Sequence, residues 1–400
     1  MTGPTPLVTA QDPGSRSAQL RRRLATGDLG SLPVVVVLVV VWVVFQALSP
    51  TFLSADNLVN LVQQSAATGV IALGVVLTLL LGQIDLSVGA VSGMAAATVA
   101  VGSVRLGWPL WLAVLVALAA GALVGLLYGA VHTRLRVPSF VFTLAGLLVV
   151  TGLQLRVLGA QGSVNLPFQA WLVRFCQTAF LDPALSWAIA GAVVVLYGAA
   201  RLRDRARRVA AELSAPSLGS VGLRVGALAV LLAVTIAYLG TDRGVGAMFA
   251  LFVGLVALTD LALRRTRWGR SVRAVGGDAE AARRAGVPVR RVLVSAFVAC
   301  STLAALGGVL AAGRLAAANQ ATGAPEVALT AIAAAVIGGT SMYGGRGSAW
   351  SALLGILVIQ SVSTGLTLLN QDQAVRLVVT GLVLGVAVVV DGLQRRARES

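Results

Sequence analysis

The chain has 400 residues and a formal net charge of +16, with 57% hydrophobic residues against 12% charged ones. A soluble domain carries roughly twice that charged fraction, which excludes a soluble globular fold. Continuous rather than alternating apolar runs exclude a β-barrel. All 31 basic residues are arginine, and they lie in short segments between apolar runs, where they set membrane topology rather than bind nucleic acid. The fold class this implies is an all-α polytopic membrane bundle, since only helices and closed barrels satisfy their backbone in lipid.

The first 30 residues are polar, end near Arg21-Arg22-Arg23, and read as a disordered cytoplasmic tail. The apolar run at 33–48 that follows has some features of a signal peptide, but is read as an uncleaved first span because the topology needs it. Further spans are predicted at about 58–82, 87–104, 109–131, 138–157, 184–200, 222–240, 245–263, 291–313, 327–342, 348–369 and 376–392. With the N-terminus inside, six arginines (Arg105, Arg156, Arg174, Arg243, Arg314 and Arg376) fall in external connections and the remaining 25 are cytoplasmic. That asymmetry places both termini in the cytoplasm.

The connections at 83–86 and 343–347 barely separate adjacent runs, so broken or re-entrant helices are an equal account, and the expected number of crossings is ten to twelve. The segment 201–220 carries five arginines within eight residues and reads as a basic cytoplasmic linker, or as a membrane-surface patch. Residues 31–395 form one transmembrane domain and 396–400 a cytoplasmic tail.

Chemistry-bearing residues are few. Cys176 and Cys300 are isolated and His132 is the single histidine, so neither a metal site nor a catalytic pair is expected. With no lysine there is no phosphate-binding G-x-x-x-x-G-K-[ST] loop; an ATP-driven transporter built on this chain needs its nucleotide site on another chain. The polar stretch Gly276-Gly277-Asp278-Ala279-Glu280-Ala281-Ala282-Arg283-Arg284-Ala285-Gly286-Val287-Pro288 predicts a short helix. Asp278 is its N-cap, Glu280 favours the first turn, Gly286 suits the left-handed C′ position and Pro288 ends it. A helix of about two turns is not stable alone in water, so this one is expected to dock, with its alanines in a groove and Arg283 and Arg284 on an acidic rim.

The other polar residues among the spans are Gln83, Asp85, Ser87, Asn319, Gln320, Thr340 and Ser341, with Gln63, Gln64 and Gln360. Asp85 and Ser87 either cap the helix beginning near Val88 or line a polar path, because a lone carboxylate in lipid needs a partner or a cavity. Interhelical hydrogen bonding accounts for most of the rest. Gly121, Gly125 and Gly129 repeat every fourth residue, as do Gly89 and Gly93, and Gly381 and Gly385; such seams let helix backbones approach closely. The breaks at 82–87 and 338–343 share a loose pattern, suggesting an internal repeat.

Three of these blocks are familiar. Gly82-Gln83-Ile84-Asp85-Leu86-Ser87-Val88-Gly89 resembles the G-x-I-D-L-S-V-G segment of monosaccharide permeases in ATP-binding-cassette importers. Ala274 to Val287 is similar to their A-x-G-G-N-x-E-A-A-R-x-S-G-I coupling segment, with Asp278 where Asn is usual and Ala285 in place of Ser. Ala331-Ile332-Ala333-Ala334-Ala335-Val336-Ile337-Gly338-Gly339-Thr340-Ser341, continuing to Gly344-Gly345-Arg346-Gly347, resembles their late block. The length and the basic insertion look most like the xylose-type subgroup.

The resemblance implies a homodimeric core in a bacterial inner membrane. A cytosolic ATPase pair holding ATP and magnesium grips Asp278, Glu280, Ala281, Ala282, Arg283, Arg284 and Gly286, and an extracytoplasmic sugar-binding protein delivers a monosaccharide. The chain itself then binds no cofactor and catalyses no reaction. The rival readings are an importer for another sugar, a nucleoside or a branched-chain amino acid, and an ion-coupled transporter using Asp85.

Overall fold

A computed structural model describes residues 32–383, 385 and 389. The expected tails at 1–30 and 396–400 lie outside the described residues. In chain order the helices are α1 (Leu32–Leu48), α2 (Ala55–Leu79), α3 (Val88–Val104), α4 (Leu110–Leu135), α5 (Ser139–Leu158), α6 (Trp171–Gln177), α7 (Pro183–Ala210), α8 (Leu218–Leu239) and α9 (Ala247–Arg265). They continue as α10 (Arg267–Gly277), α11 (Ala279–Arg284), α12 (Val289–Leu315), α13 (Pro325–Ile337), α14 (Trp350–Leu368) and α15 (Gln373–Val383). Eight are long and apolar enough to cross a bilayer, and α1, α3, α13 and α15 are shorter apolar helices. The chain is therefore a multi-pass helical membrane protein, and among the described residues every predicted apolar run corresponds to a helix, the last of them as far as Val383.

The two short interior helices are completed by non-helical backbone. The 13 residues of α13 rise only about 20 Å, less than the roughly 30 Å of a hydrocarbon core. The loop that precedes α13 reaches inward, so that the Thr322 carbonyl abuts Gly93 in α3. Before α3 the chain is non-helical: the Ile84 and Leu86 N–H groups donate to the hydroxyls of Ser139 (3.2 Å) and Thr143 (3.3 Å) on α5. Irregular backbone is tolerated at such depth because protein surrounds it and side-chain hydroxyls replace the missing ladder bonds.

Packing separates a buried centre from a lipid-facing shell. Helices α2, α3, α12, α13 and α14 supply most of the core, whereas α7 and α8 leave most of their large apolar side chains exposed or half-buried. The most extensive helix pair is α4 with α12, which run antiparallel along Gly121, Gly125 and Gly129. A Cβ at Gly125 would lie 2.7 Å from the Val298 Cα, and one at Gly129 2.7 Å from the Val294 Cα. With no side chain on those glycines the backbones meet, and dispersion contacts replace those lost to lipid. Gly381 and Gly385, by contrast, have nothing within 4 Å among the described residues. Polar side chains also bridge helices: Gln360 on α14 donates to Gln64 on α2 at 2.9 Å, and Trp42 on α1 to Ser361 at 2.9 Å.

The half of the basic segment expected to be a linker is helical. Residues 201–210 extend α7 without interruption, and the turn before α8 spans 211–217. Arg, Leu and Ala fill most of this stretch and allow this, since all three are strong helix formers. At the opposite end of the bundle a small ribbon pairs β1 (Ser163–Asn165) with β2 (Ala317–Asn319), antiparallel with Val164 opposite Ala318. It is the one two-stranded sheet among the described residues.

Candidate functional site: a helical elbow on two helix breaks

The polar stretch after α9 folds into two helices rather than one. Thr266 caps α10, its hydroxyl accepting from the Gly269 N–H at 3.1 Å. Val272 and Val275 are buried, and Trp268 donates from Nε1 to Ser295 on α12 at 2.8 Å. This apolar stripe at helical spacing was the available signal for α10, which the reading of the segment as one short helix passed over.

Helix α11 is only six residues long, and its ends are both capped. The Asp278 Oδ1 accepts from the Glu280 and Ala281 N–H groups at 2.8 and 2.9 Å. At the other end Gly286, at φ +80°, lets its N–H reach the Arg283 carbonyl while the Val287 N–H reaches that of Ala282, both at 3.0 Å. This reciprocal pair closes the helix without a side chain. Glu280 pairs with Arg283 at 3.0 Å and Arg284 at 3.5 Å, exposed contacts that contribute little stability.

The faces of α11 divide sharply. Ala282 is buried against the chain's own core, while Ala281, Glu280, Arg283 and Arg284 are exposed. Ala282 thus anchors the helix from below, and the surface offered outward is charged rather than an all-alanine ridge.

The elbow between α10 and α11, at Gly276 and Gly277, rests on both helix breaks. The Leu80 carbonyl, at the end of α2, accepts from the Gly345 N–H at 2.9 Å in the turn between α13 and α14. A Cβ on Gly276 would collide with that same Leu80 carbonyl and lie 2.9 Å from the Gly345 nitrogen. Gly344, at φ +89°, approaches both the Gly276 carbonyl and the Gly82 nitrogen. Only glycines allow three backbone segments to cross so closely. The two sequence breaks that share a pattern therefore meet in space, beneath the elbow.

The expected path residues fall in three places rather than one cavity. Thr340 and Ser341 lie in the turn beside the elbow; Thr340 is buried, and the Ser341 hydroxyl accepts from the Tyr343 N–H at 3.2 Å. Gln83, Asp85 and Ser87 lie along the non-helical approach to α3. Asp85 is buried, and its Oδ1 accepts from the Ser87 N–H (2.9 Å) and hydroxyl (2.7 Å). Asn319 and Gln320 lie near the far end. There the Asn319 Oδ1 accepts from the Ala321 N–H at 3.0 Å, and the Gln320 N–H donates to the Gly162 carbonyl at 3.1 Å.

Gln154, which the sequence reading passed over, fixes this last group to the bundle. Buried in α5, it donates from Nε2 to the carbonyls of Thr322 (2.8 Å) and Asn319 (3.2 Å). A lone amide within an apolar run was its signal.

The Asp85 geometry gives a test of its role. Asp85→Asn retains the Oδ1 acceptor, so cellular uptake is expected to stay within about twofold of wild type. Asp85→Ala removes a turn-fixing acceptor of the kind that contributes about 1 kcal/mol, and lower uptake is expected. Complete loss in Asp85→Asn would instead show that the charge itself is required.

The profile of a permease family, described as the branched-chain amino acid transport system / permease component, matches residues 57–388. The xylose transport system permease protein XylH of Escherichia coli (strain K12) is 33% identical over 346 residues, covering 86% of this chain and 87% of that protein. The fructose import permease protein FrcC of Rhizobium meliloti is 30% identical, over 85% of this chain and 79% of its own length. The ribose import permease protein RbsC of Escherichia coli (strain K12) is 29% identical, over 89% and 92%. No solved structure matches the chain. A family match spanning most of the sequence, together with a helical membrane bundle, is sufficient for assignment: the chain belongs to this family of transport permeases.

Proposed function

We propose that the chain is the membrane subunit of an ATP-binding-cassette importer for a monosaccharide of the xylose type. It acts as a pair of identical copies in a bacterial cell membrane, with both termini in the cytoplasm. The observation that carries the reading is the elbow. A partner pressing on the exposed Glu280, Ala281, Arg283 and Arg284 pushes a capped helix whose preceding glycine lies directly on Leu80 and Gly345.

Movement of α11 is then passed to the end of α2 and to the turn leading into α14. Backbone-to-backbone contact leaves no soft side chain to absorb the displacement, and close-packed segments move together. A rocking of these helices between outward-open and inward-open states follows the alternating-access logic of transporters. A cytosolic ATPase holding ATP and magnesium supplies the force, and an extracytoplasmic sugar-binding protein supplies the substrate. The names of the xylose, fructose and ribose permeases favour a monosaccharide cargo over the branched-chain amino acid in the family's description.

The test is a double variant on the exposed face, Glu280→Arg with Ala281→Trp. Both positions point away from the chain's own core, so folding is expected to persist. Uptake of labelled xylose, competed with ribose, arabinose and leucine, should be lost in the variant together with transport-linked ATP hydrolysis. Undiminished uptake in the variant removes the coupling role. Uptake competed by leucine alone removes the sugar assignment.

A further inference from the structure

The end of α7 and the start of α8 enclose a cleft of about 480 Å³ that the transport mechanism does not use. It is lined by Arg201, Arg205, Arg207, Arg208 and Arg224, with Asp204 as the one carboxylate in its wall. Arg205 donates from Nε to the Pro216 carbonyl at 3.0 Å, and Arg208 from Nη1 to that of Ser214 at 3.4 Å. These bonds fold the 211–217 turn back over α7 and give the cleft its wall. The Arg201 guanidinium sits 4.9 Å from the centre of the Tyr197 ring. None of the five arginines forms an ion pair among the described residues.

Five guanidiniums facing one carboxylate repel one another unless an anion sits among them. Guanidinium forks match phosphate oxygens in shape and charge. The surroundings say where that phosphate comes from. Leu202, Val209, Leu213, Leu218 and Leu223 are all at least half exposed around the cleft, Leu223 at 75%. The helices above are the least buried of the eight long apolar helices. Apolar side chains interleaved with arginines at a helix end suit the boundary between acyl chains and headgroups. A soluble anion would leave that leucine collar in water.

We propose that this cleft is a binding site for the phosphate headgroup of an anionic phospholipid, and that a lipid carrying two phosphates is held most tightly. Basic pockets between membrane helices are suited to such headgroups. The site lies on a hairpin in which α7 packs chiefly on α8, and α8 on α2, away from the elbow. Lipid occupancy would therefore fix the α7–α8 hairpin against the bundle rather than gate the coupling helix.

The experiment uses the full-length protein purified in mild detergent, with bound lipid quantified by mass spectrometry, followed by titration with cardiolipin, phosphatidylglycerol and inorganic phosphate. Wild type should bind cardiolipin more tightly than phosphatidylglycerol. Arg205→Gln with Arg208→Gln should weaken cardiolipin binding roughly tenfold to thirtyfold. Because those two arginines also hold the turn, Arg207→Gln with Arg224→Gln provides a second variant that leaves its carbonyl contacts intact, and it should weaken binding similarly. The charge-matched control Arg134→Gln with Arg136→Gln should bind like wild type. Equal lipid retention in wild type and both cleft variants overturns the proposal. So does displacement of cardiolipin by inorganic phosphate at comparable concentration, which would make the ligand a soluble phosphate.

Discussion

Gly276→Ala is expected to reduce sugar uptake by about tenfold or more while Gly277→Ala, one residue away, leaves it near wild type. The two glycines differ only in what surrounds them. An alanine methyl at 276 would collide with the Leu80 carbonyl and crowd the Gly345 nitrogen, whereas a methyl at 277 meets nothing within 4 Å among the described residues. The Leu80 carbonyl already accepts the Gly345 N–H, so it cannot swing aside without breaking that bond. Overpacking of this kind costs about 1–3 kcal/mol, and here the strain falls on the three segments through which force would pass. Uptake of labelled sugar and ATP hydrolysis by the assembled complex, measured side by side, check the result. Loss of uptake with hydrolysis retained places the defect at the elbow. Equal uptake by both variants would remove the elbow from the force path.

The second large effect is expected on stability. Gly125→Ala should lower the melting temperature of the purified protein and reduce its level in the membrane, while Gly152→Ala should do neither. A Cβ at 125 would press on the Phe297 carbonyl and the Val298 Cα, forcing α4 away from α12 along their most extensive contact. Gly152, on the exposed side of α5, has nothing within 4 Å among the described residues. In lipid, helix association relies on close packing rather than on exclusion of water, so a gap opened at the centre of this seam is not recovered elsewhere. Destabilisation of about 1–3 kcal/mol is expected, read from thermal unfolding in detergent monitored by size-exclusion chromatography. Larger residues at 121 or 129 should act in the same direction, since those positions face Ala305 and Val294 at similar distance.

The segment from Gly276 to Pro288 shows how far local chemistry carries. Asp278, Glu280, Gly286 and Pro288 specify a helix by caps that involve only neighbours in sequence, and the structure places the helix at those residues. What the segment packs against is not a local property. That Ala282 points inward and Ala281 outward depends on how α10 lies on α12, through Trp268 and Ser295. The same division holds for the polar residues. Asp85 and Ser87, two apart, form a turn that their spacing allows. Gln154 and Thr322, separated by 168 positions, meet only because α5 and the loop before α13 share a level in the bundle.

The sequence by itself determined the fold class, the apolar spans and where they break, because hydropathy, capping and the cost of bare backbone in lipid act over a turn or two of chain, while the short helices α6 and α10 lay outside what it predicted. It also indicated the family through three short blocks. Only the tertiary structure decided that the breaks at Gly82 and Gly345 converge under Gly276, that the candidate path residues occupy three separate places, and that the basic segment after Arg201 continues a helix and closes a cleft. Those outcomes depend on which glycines and small side chains let distant backbones touch, and that is a property of pairs of helices, which no single stretch of sequence contains.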